Sequence, residues 1–162
     1  MVDDDFEVSL RIRKIKEGTV IDHIKPGNAL HVLEILKITG HNGNIISVAM
    51  NVPSGKLKSG YKDVVKIENR ELNSQEINTI ALISPNATIS IIRNMKVVNK
   101  KRVEMPKEII NVHIKCINPR CITNSNEPVN THFIVKTRDP LEIQCVYCNK
   151  TMTSKDILQI KK

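Results

Sequence analysis

Four cysteines near the C-terminus set the tightest limit on what this chain can fold into. Cys116 and Cys121 are spaced C-x4-C, and Cys145 and Cys148 are spaced C-x2-C. Between the pairs lie the residues from Ile122 to Gln144. Two short-spaced pairs far apart in sequence suit two knuckles gripping one tetrahedral ion. Structural zinc takes four thiolates in this way and leaves no position for water or substrate. The expectation is one structural Zn(2+) per chain, held by Cys116, Cys121, Cys145 and Cys148. Two disulfides or four free thiols are the alternatives. His113 and His132 are the rival ligands, but each sits in an alternating, strand-like run that suits a solvent-facing histidine.

Such an ion explains how a short segment can fold. Residues 104–162 are few for an independent hydrophobic core, and metal binding can add on the order of 10 kcal/mol. The redox setting agrees. The start, Met1-Val2-Asp3-Asp4-Asp5, is acidic, whereas a secretory signal opens basic and then runs apolar. A cytoplasmic location is expected, where paired cysteines favour metal over disulfide. No apolar run reaches the length of a membrane span.

The whole chain of 162 residues carries +8. Residues 1–103 hold 16 basic and 11 acidic side chains, giving +5, and residues 104–162 hold 9 and 6, giving +3. Four thiolates with one Zn(2+) reduce the second part to about +1. The excess charge that could meet a polyanion therefore lies in the N-terminal part. Aromatics are 2% of the chain, too few for a base-stacking platform.

The apolar pattern predicts two units. A strand is expected over 8–15, where Val8, Leu10 and Ile12 alternate with polar residues. Gly18 then reads as a turn and Val20-Ile21 as a short buried extension. A helix opens after Pro26-Gly27, with apolar residues at 29, 32, 33 and 36 widened by Leu30, Ile35 and Ile38, and with Gly40 as its left-handed cap. Strands follow at about 44–52 and 62–69. Asn73 and Glu76 mark a capping box, and Ile77, Ile80 and Ala81 form the stripe of a second helix stopped by Pro85. Strands at 87–93 and 95–99 complete a β-α-β-β-α-β unit plus one strand, an antiparallel ferredoxin-like sheet with two helices. The fold class is therefore α+β, with a small all-β zinc-ribbon-like C-terminal domain. The expected division is 1–100, a linker at 101–108, and 109–162. In the last part, strands are expected at 109–115, 131–137 and 141–146, and Lys150 to Lys162 reads as a strand followed by a short strand or frayed turn.

Helices on one face of such a sheet leave the other face free for a ligand or another subunit. Lys62 and Lys66 lie on one strand face, about 13 Å apart. Two ammonium groups there could hold a phosphate chain, with Lys100 joining from the last strand; the alternative is a solvated face. Asp22 can accept from a ribose hydroxyl or base amine and His23 can meet a phosphate, or both can be plain surface. No nucleotide-binding loop or nucleophile–base motif occurs, so no enzyme is expected.

Gly18-Thr19-Val20-Ile21-Asp22-His23-Ile24, Asn51-Val52-Pro53-Ser54-Gly55, Lys62-Asp63-Val64-Val65-Lys66-Ile67-Glu68-Asn69 and the cysteine set, in this order and spacing, resemble the regulatory chain of aspartate carbamoyltransferase over essentially the whole sequence. The resemblance implies a non-catalytic subunit that tunes the first committed step of pyrimidine biosynthesis, with CTP as the usual inhibitor and ATP as the usual activator. It implies an N-terminal allosteric domain and a zinc domain that contacts the catalytic chain. The implied assembly joins catalytic trimers through regulatory homodimers. It also implies a nucleotide site of Asp22, His23, Lys62, Lys66 and Lys100, with backbone near Ile12 and Ile15 reading the base and Ser90, Ile92 and Val97 lining the pocket. Arg13, Lys14 and Met95 depart from the family pattern.

Two other classes compete. A zinc-ribbon nucleic-acid binder would bind RNA or DNA with steep salt dependence and little nucleotide preference. A thiol redox protein would use Cys145 and Cys148, but the second cysteine pair and the absence of a thioredoxin-like strand–helix context argue against it.

Overall fold

The computed structural model describes residues 13–110 and 113–159. Its N-terminal part is a five-stranded antiparallel sheet in the order β2-β3-β1-β4-β5, with β1 Gly18–Ile24, β2 Ile46–Pro53, β3 Tyr61–Glu68, β4 Thr88–Arg93 and β5 Lys96–Arg102. Two helices, α1 (Ala29–Ile35) and α2 (Ser74–Ile83), cover one face. This is the expected split βαβ arrangement with one added edge strand.

The first described strand begins after the run where alternation puts one. Residues 13–15 have no strand structure and residues 8–12 lie outside the described residues. The chain enters the sheet at Gly18, which is a strand residue and not a turn. Gly18 has φ 137°, and a Cβ there would sit 2.0 Å from the Ile67 carbonyl oxygen, so only glycine fits this close approach. Helix α1 also ends earlier than expected. Lys37, at φ 54°, takes the left-handed position in place of Gly40. The Lys37 N–H donates to Glu34 O and the Ile38 N–H to Leu33 O, the paired bonds of a Schellman end. Leu30 stays 59% exposed, so the apolar stripe is narrower than it reads. The α2 start is as expected: Asn73 accepts from the Glu76 N–H while Glu76 accepts from the Asn73 N–H.

The C-terminal part is a second antiparallel sheet, β6-β7-β8-β9, formed by Glu108–Ile110, His132–Arg138, Leu141–Cys145 and Thr151–Thr153. The strand expected over 109–115 is confined to β6; residues 113–115 are irregular and 111–112 lie outside the described residues. The end of the chain turns into a helix, α3 (Ser154–Gln159), where a strand or turn was expected. Asp156 holds its first turn by accepting from the Thr153 N–H and hydroxyl, and Ile157 is buried. One core runs through both parts: Ile80 and Ala81 of α2, then Val103 and Met105, then Ile109, Phe133, Ile143 and Met152. Among the described residues, no helix is long and apolar enough to cross a membrane.

Candidate functional site

The sheet ends bring the four cysteines together. Cys116 lies in the loop after β6, Cys121 precedes a 3-10 turn (Ile122–Asn124), Cys145 closes β8, and Cys148 sits in the turn before β9. Their four Sγ atoms all lie within 4.8 Å of one another. Cys116 and Cys148 are 3.5 Å apart and Cys121 and Cys145 are 3.7 Å apart. A disulfide would need about 2.05 Å. Four sulfurs about 2.3 Å from a tetrahedral ion lie about 3.8 Å from one another, so the cluster fits one metal ion, of the kind structural zinc makes.

Local structure supports the knuckles. Asn124 donates to Cys116 O and Asn118 O, and the Thr123 hydroxyl donates to Cys121 Sγ. Burial pushes the Cys116 and Cys145 thiols above their usual range. Burial acts on Cys148 in the same sense but is outweighed by the Lys150 N–H, the Asn118 side chain and the neighbouring sulfurs, which hold it at about 7. His132 instead lies 3.1 Å from the Glu108 carboxylate, and the cluster contains neither His132 nor His113. Four thiolates would fill the coordination sphere of Zn(2+), which then supplies structure and no open position for chemistry.

The second constellation lies on the face of the N-terminal sheet opposite the helices. Register assembles it. Ser47 pairs with Lys66, Lys66 with Val20, Val20 with Ser90, and Ser90 with Lys100, a single row across all five strands. Ile92 pairs with Val97, two residues further along β4 and three back along β5. Lys62 lies four residues from Lys66 on the same side of β3. Its Nζ is 2.9 Å from the nearer Asp22 carboxylate oxygen. The Asp22 carboxylate also accepts the His23 N–H at 2.6 Å. Ser90 and Ile92 are nearly buried, Val97 and Lys100 exposed. Ile15 is buried just before β1, where Lys66 Nζ donates to Arg13 O. Ile12 lies outside the described residues. Met95 is 64% exposed in the two-residue β4–β5 turn, where it and Asn94 both adopt positive φ.

The electrostatics of this face are one-sided. Burial lowers the His23 imidazole below its ordinary value; Lys62, Lys56 and Lys100 add to this and Asp22 opposes it. Burial likewise lowers the Lys66 ammonium, with Asp22 opposing and Lys14 reinforcing. Lys62, Lys56 and Lys100 thus act on His23, and Lys14 on Lys66, with Asp22 the one acid opposing both, a setting that a polyphosphate would relieve. Lys56, in the loop between β2 and β3, acts on His23 although strand spacing alone does not indicate it; the signal for it is the Pro53-Ser54-Gly55 turn. Asp63 is buried on the covered side of the same strand.

Comparison with known proteins follows the same division. The family described as aspartate carbamoyltransferase regulatory chain, allosteric domain, matches residues 10–104, and its metal binding domain matches residues 107–158. The chain is similar to aspartate carbamoyltransferase regulatory chains from several organisms. It is 50% identical to that of Thermoplasma volcanium over 153 residues, covering 94% of this chain and 99% of the relative. It is 52% identical to that of Pyrococcus abyssi over 150 residues, covering 92% and 96%. It is 53% identical to that of Methanocella arvoryzae over 140 residues, covering 86% and 88%.

Proposed function

The chain belongs to the family of aspartate carbamoyltransferase regulatory chains, and from that premise we propose that it is a non-catalytic, cytoplasmic allosteric subunit of pyrimidine biosynthesis. Residues 1–100 bind CTP- or ATP-type nucleotides, 101–108 link, and 109–162 form the zinc domain that contacts a catalytic chain. The nucleotide site uses Ile12, Ile15, Asp22, His23, Lys62, Lys66, Ser90, Ile92, Val97 and Lys100. Lysines meet the phosphates, Asp22 and the strand backbones meet ribose and base, and Ile92 and Val97 pack the base. Regulatory homodimers then join catalytic trimers.

The observation that supports this reading best is the row from Lys66 to Lys100 on an open, cationic sheet face. An effector bound there shifts the assembly only by binding its quaternary states unequally. Calorimetric titration of the zinc-loaded chain with CTP, with ATP and with random single-stranded RNA tests the proposal. Saturable nucleotide binding near one site per chain, weakened about 10–100-fold by Lys62→Ala, is the expected result, since a charge-assisted hydrogen bond contributes about 1.5–3 kcal/mol. Salt-sensitive RNA binding without nucleotide binding would overturn it in favour of a nucleic-acid module.

A further inference from the structure

The sheet carries one buried acid that none of the nucleotide-facing roles uses. Asp63 follows Lys62 on β3 and points to the opposite, covered side, with no exposed surface. Its carboxylate accepts three backbone N–H groups, all from other elements. One oxygen takes Gly27 at 2.9 Å and Ala29 at 3.0 Å, and the other takes Asn51 at 2.7 Å. Gly27 and Ala29 lead into α1, while Asn51 sits in β2 at φ 57°.

Asn51 lies at one of two irregularities that flank Lys62, and Gly27 and Ala29 follow the other. The β1–β3 register shifts between Ile21 and Ile24, where His23 has φ 54°, and Ile24 pairs with Asp63 itself. The β2–β3 register shifts between Ala49 and Val52, and Val52 pairs with Lys62. A bulge inserts an extra residue, breaks the ladder locally and re-aims side chains. Here the two bulges meet on either side of Lys62-Asp63, and the β1 bulge supplies Asp22 and His23. One carboxylate secures the β2 bulge and the segment that follows the β1 bulge.

Resting on the nucleotide site argued above, we infer that Asp63 is its positioning residue: it clamps the β2 bulge to the segment that follows the β1 bulge so that Lys62, Asp22 and His23 face one ligand, and it ties that geometry to the start of α1. Helix α1 lines a groove with His113, Ile114 and α3 of the zinc-bearing part. Displacement at Lys62 therefore reaches an element that packs on the first sheet and faces the zinc-bearing part across this groove.

The test uses the full zinc-loaded chain and CTP. Asp63→Asn keeps the size but turns an NH2 group toward one of the backbone donors. Asp63→Asn is expected to keep its zinc and bind CTP about 10–100-fold more weakly, the scale on which supporting hydrogen bonds act at other sites. Val65→Ala, two residues along the same covered face of β3, is the control for lost stability. With an equal or larger drop in Tm, it is expected to bind CTP as the unaltered chain does. Equal weakening in both variants, or unchanged affinity in Asp63→Asn, overturns the inference. Should Asp63→Asn fail to fold, the unaltered chain decides: the amide resonances of Gly27, Ala29 and Asn51 should move as CTP saturates. If they stay fixed while Lys62 moves, Asp63 is only a fold element. Failure of the unaltered chain to bind CTP or ATP would sink the nucleotide reading and this inference with it. Wild-type affinity in Asp63→Asn would sink this inference alone.

Discussion

Removing the metal should unfold the chain from β6 to α3 and leave the five-stranded sheet folded but weakened. Structural zinc sites contribute about 10–16 kcal/mol at neutral pH, as much as the whole net stability of an ordinary domain, about 5–15 kcal/mol. The C-terminal sheet has only a small core of its own, centred on Phe133, Ile143 and Met152, so it cannot absorb such a loss. The N-terminal part would lose cover on α2, where Ile83 shares a groove with Ile114 and Ile157. Each isoleucine re-exposed costs about 1.5–3 kcal/mol. For a unit of this size that lowers Tm by about 6–24 °C. Residue-resolved amide exchange, with metal content measured on the same sample, separates the two parts. Loss of protection at Phe133 and Ile143 with retained protection at Ile21 and Val65 is the expected result. Zinc-free chain that still protects Phe133 and Ile143 would refute the argument, and simultaneous collapse of β1 would refute its locality.

Three smaller perturbations test the rest. His23 should titrate below its unfolded value of about 6.5, because burial and three nearby lysines disfavour its cation. Its contribution to stability is then present above about pH 6.5 and is lost as pH falls through the lowered folded value; an NMR midpoint at or above 6.5 would contradict this, and CTP should raise the midpoint. Asn73→Ala removes the acceptor for the Glu76 N–H and should cost about 1 kcal/mol in denaturant melts. Gly18→Ala drives a Cβ into the Ile67 carbonyl at a φ of 137° that strains any side chain and should cost about 2–4 kcal/mol in the same melts; an unchanged midpoint would contradict the close approach.

The zinc ligands were legible because their chemistry is local: two knuckles are written in spacings of a few residues, and folding had only to bring two pairs together. Lys62 and Lys66 were legible for a similar reason, since one strand's alternation puts them on one side. Helix α3 was missed although its signal is present. Thr153-Ser154-Lys155-Asp156 has the form of a capping box, and Asp156 does accept from the Thr153 N–H. The run is short and β-branched at its start, so periodicity alone favoured a strand. At α1, glycine preference pointed to Gly40, but the apolar stripe is exhausted at Leu36 and the next residue, Lys37, takes the left-handed turn.

That Gly18–Ile24 reads as a turn and a short extension has a different cause. Residues 8–15 alternate more regularly than Gly18–Ile24, yet the latter forms the centre of the sheet. The irregular part of β1 is Asp22-His23, where a left-handed residue interrupts the period of two. β2 is interrupted in the same way at Asn51. Regular alternation would have turned Asp22 and His23 to opposite faces. The bulge lets the Asp22 carboxylate meet Lys62 while His23 remains close enough to sense Lys56 and Lys100. A pattern search discounts this segment because the deviation that breaks the pattern is the one that aims the side chains. The cost of two left-handed non-glycine residues, about 1–3 kcal/mol each, has to be met by fixed partners. Asp63 provides them for Asn51 and for the chain just beyond His23, from a position no periodicity distinguishes from Val65 or Ile67.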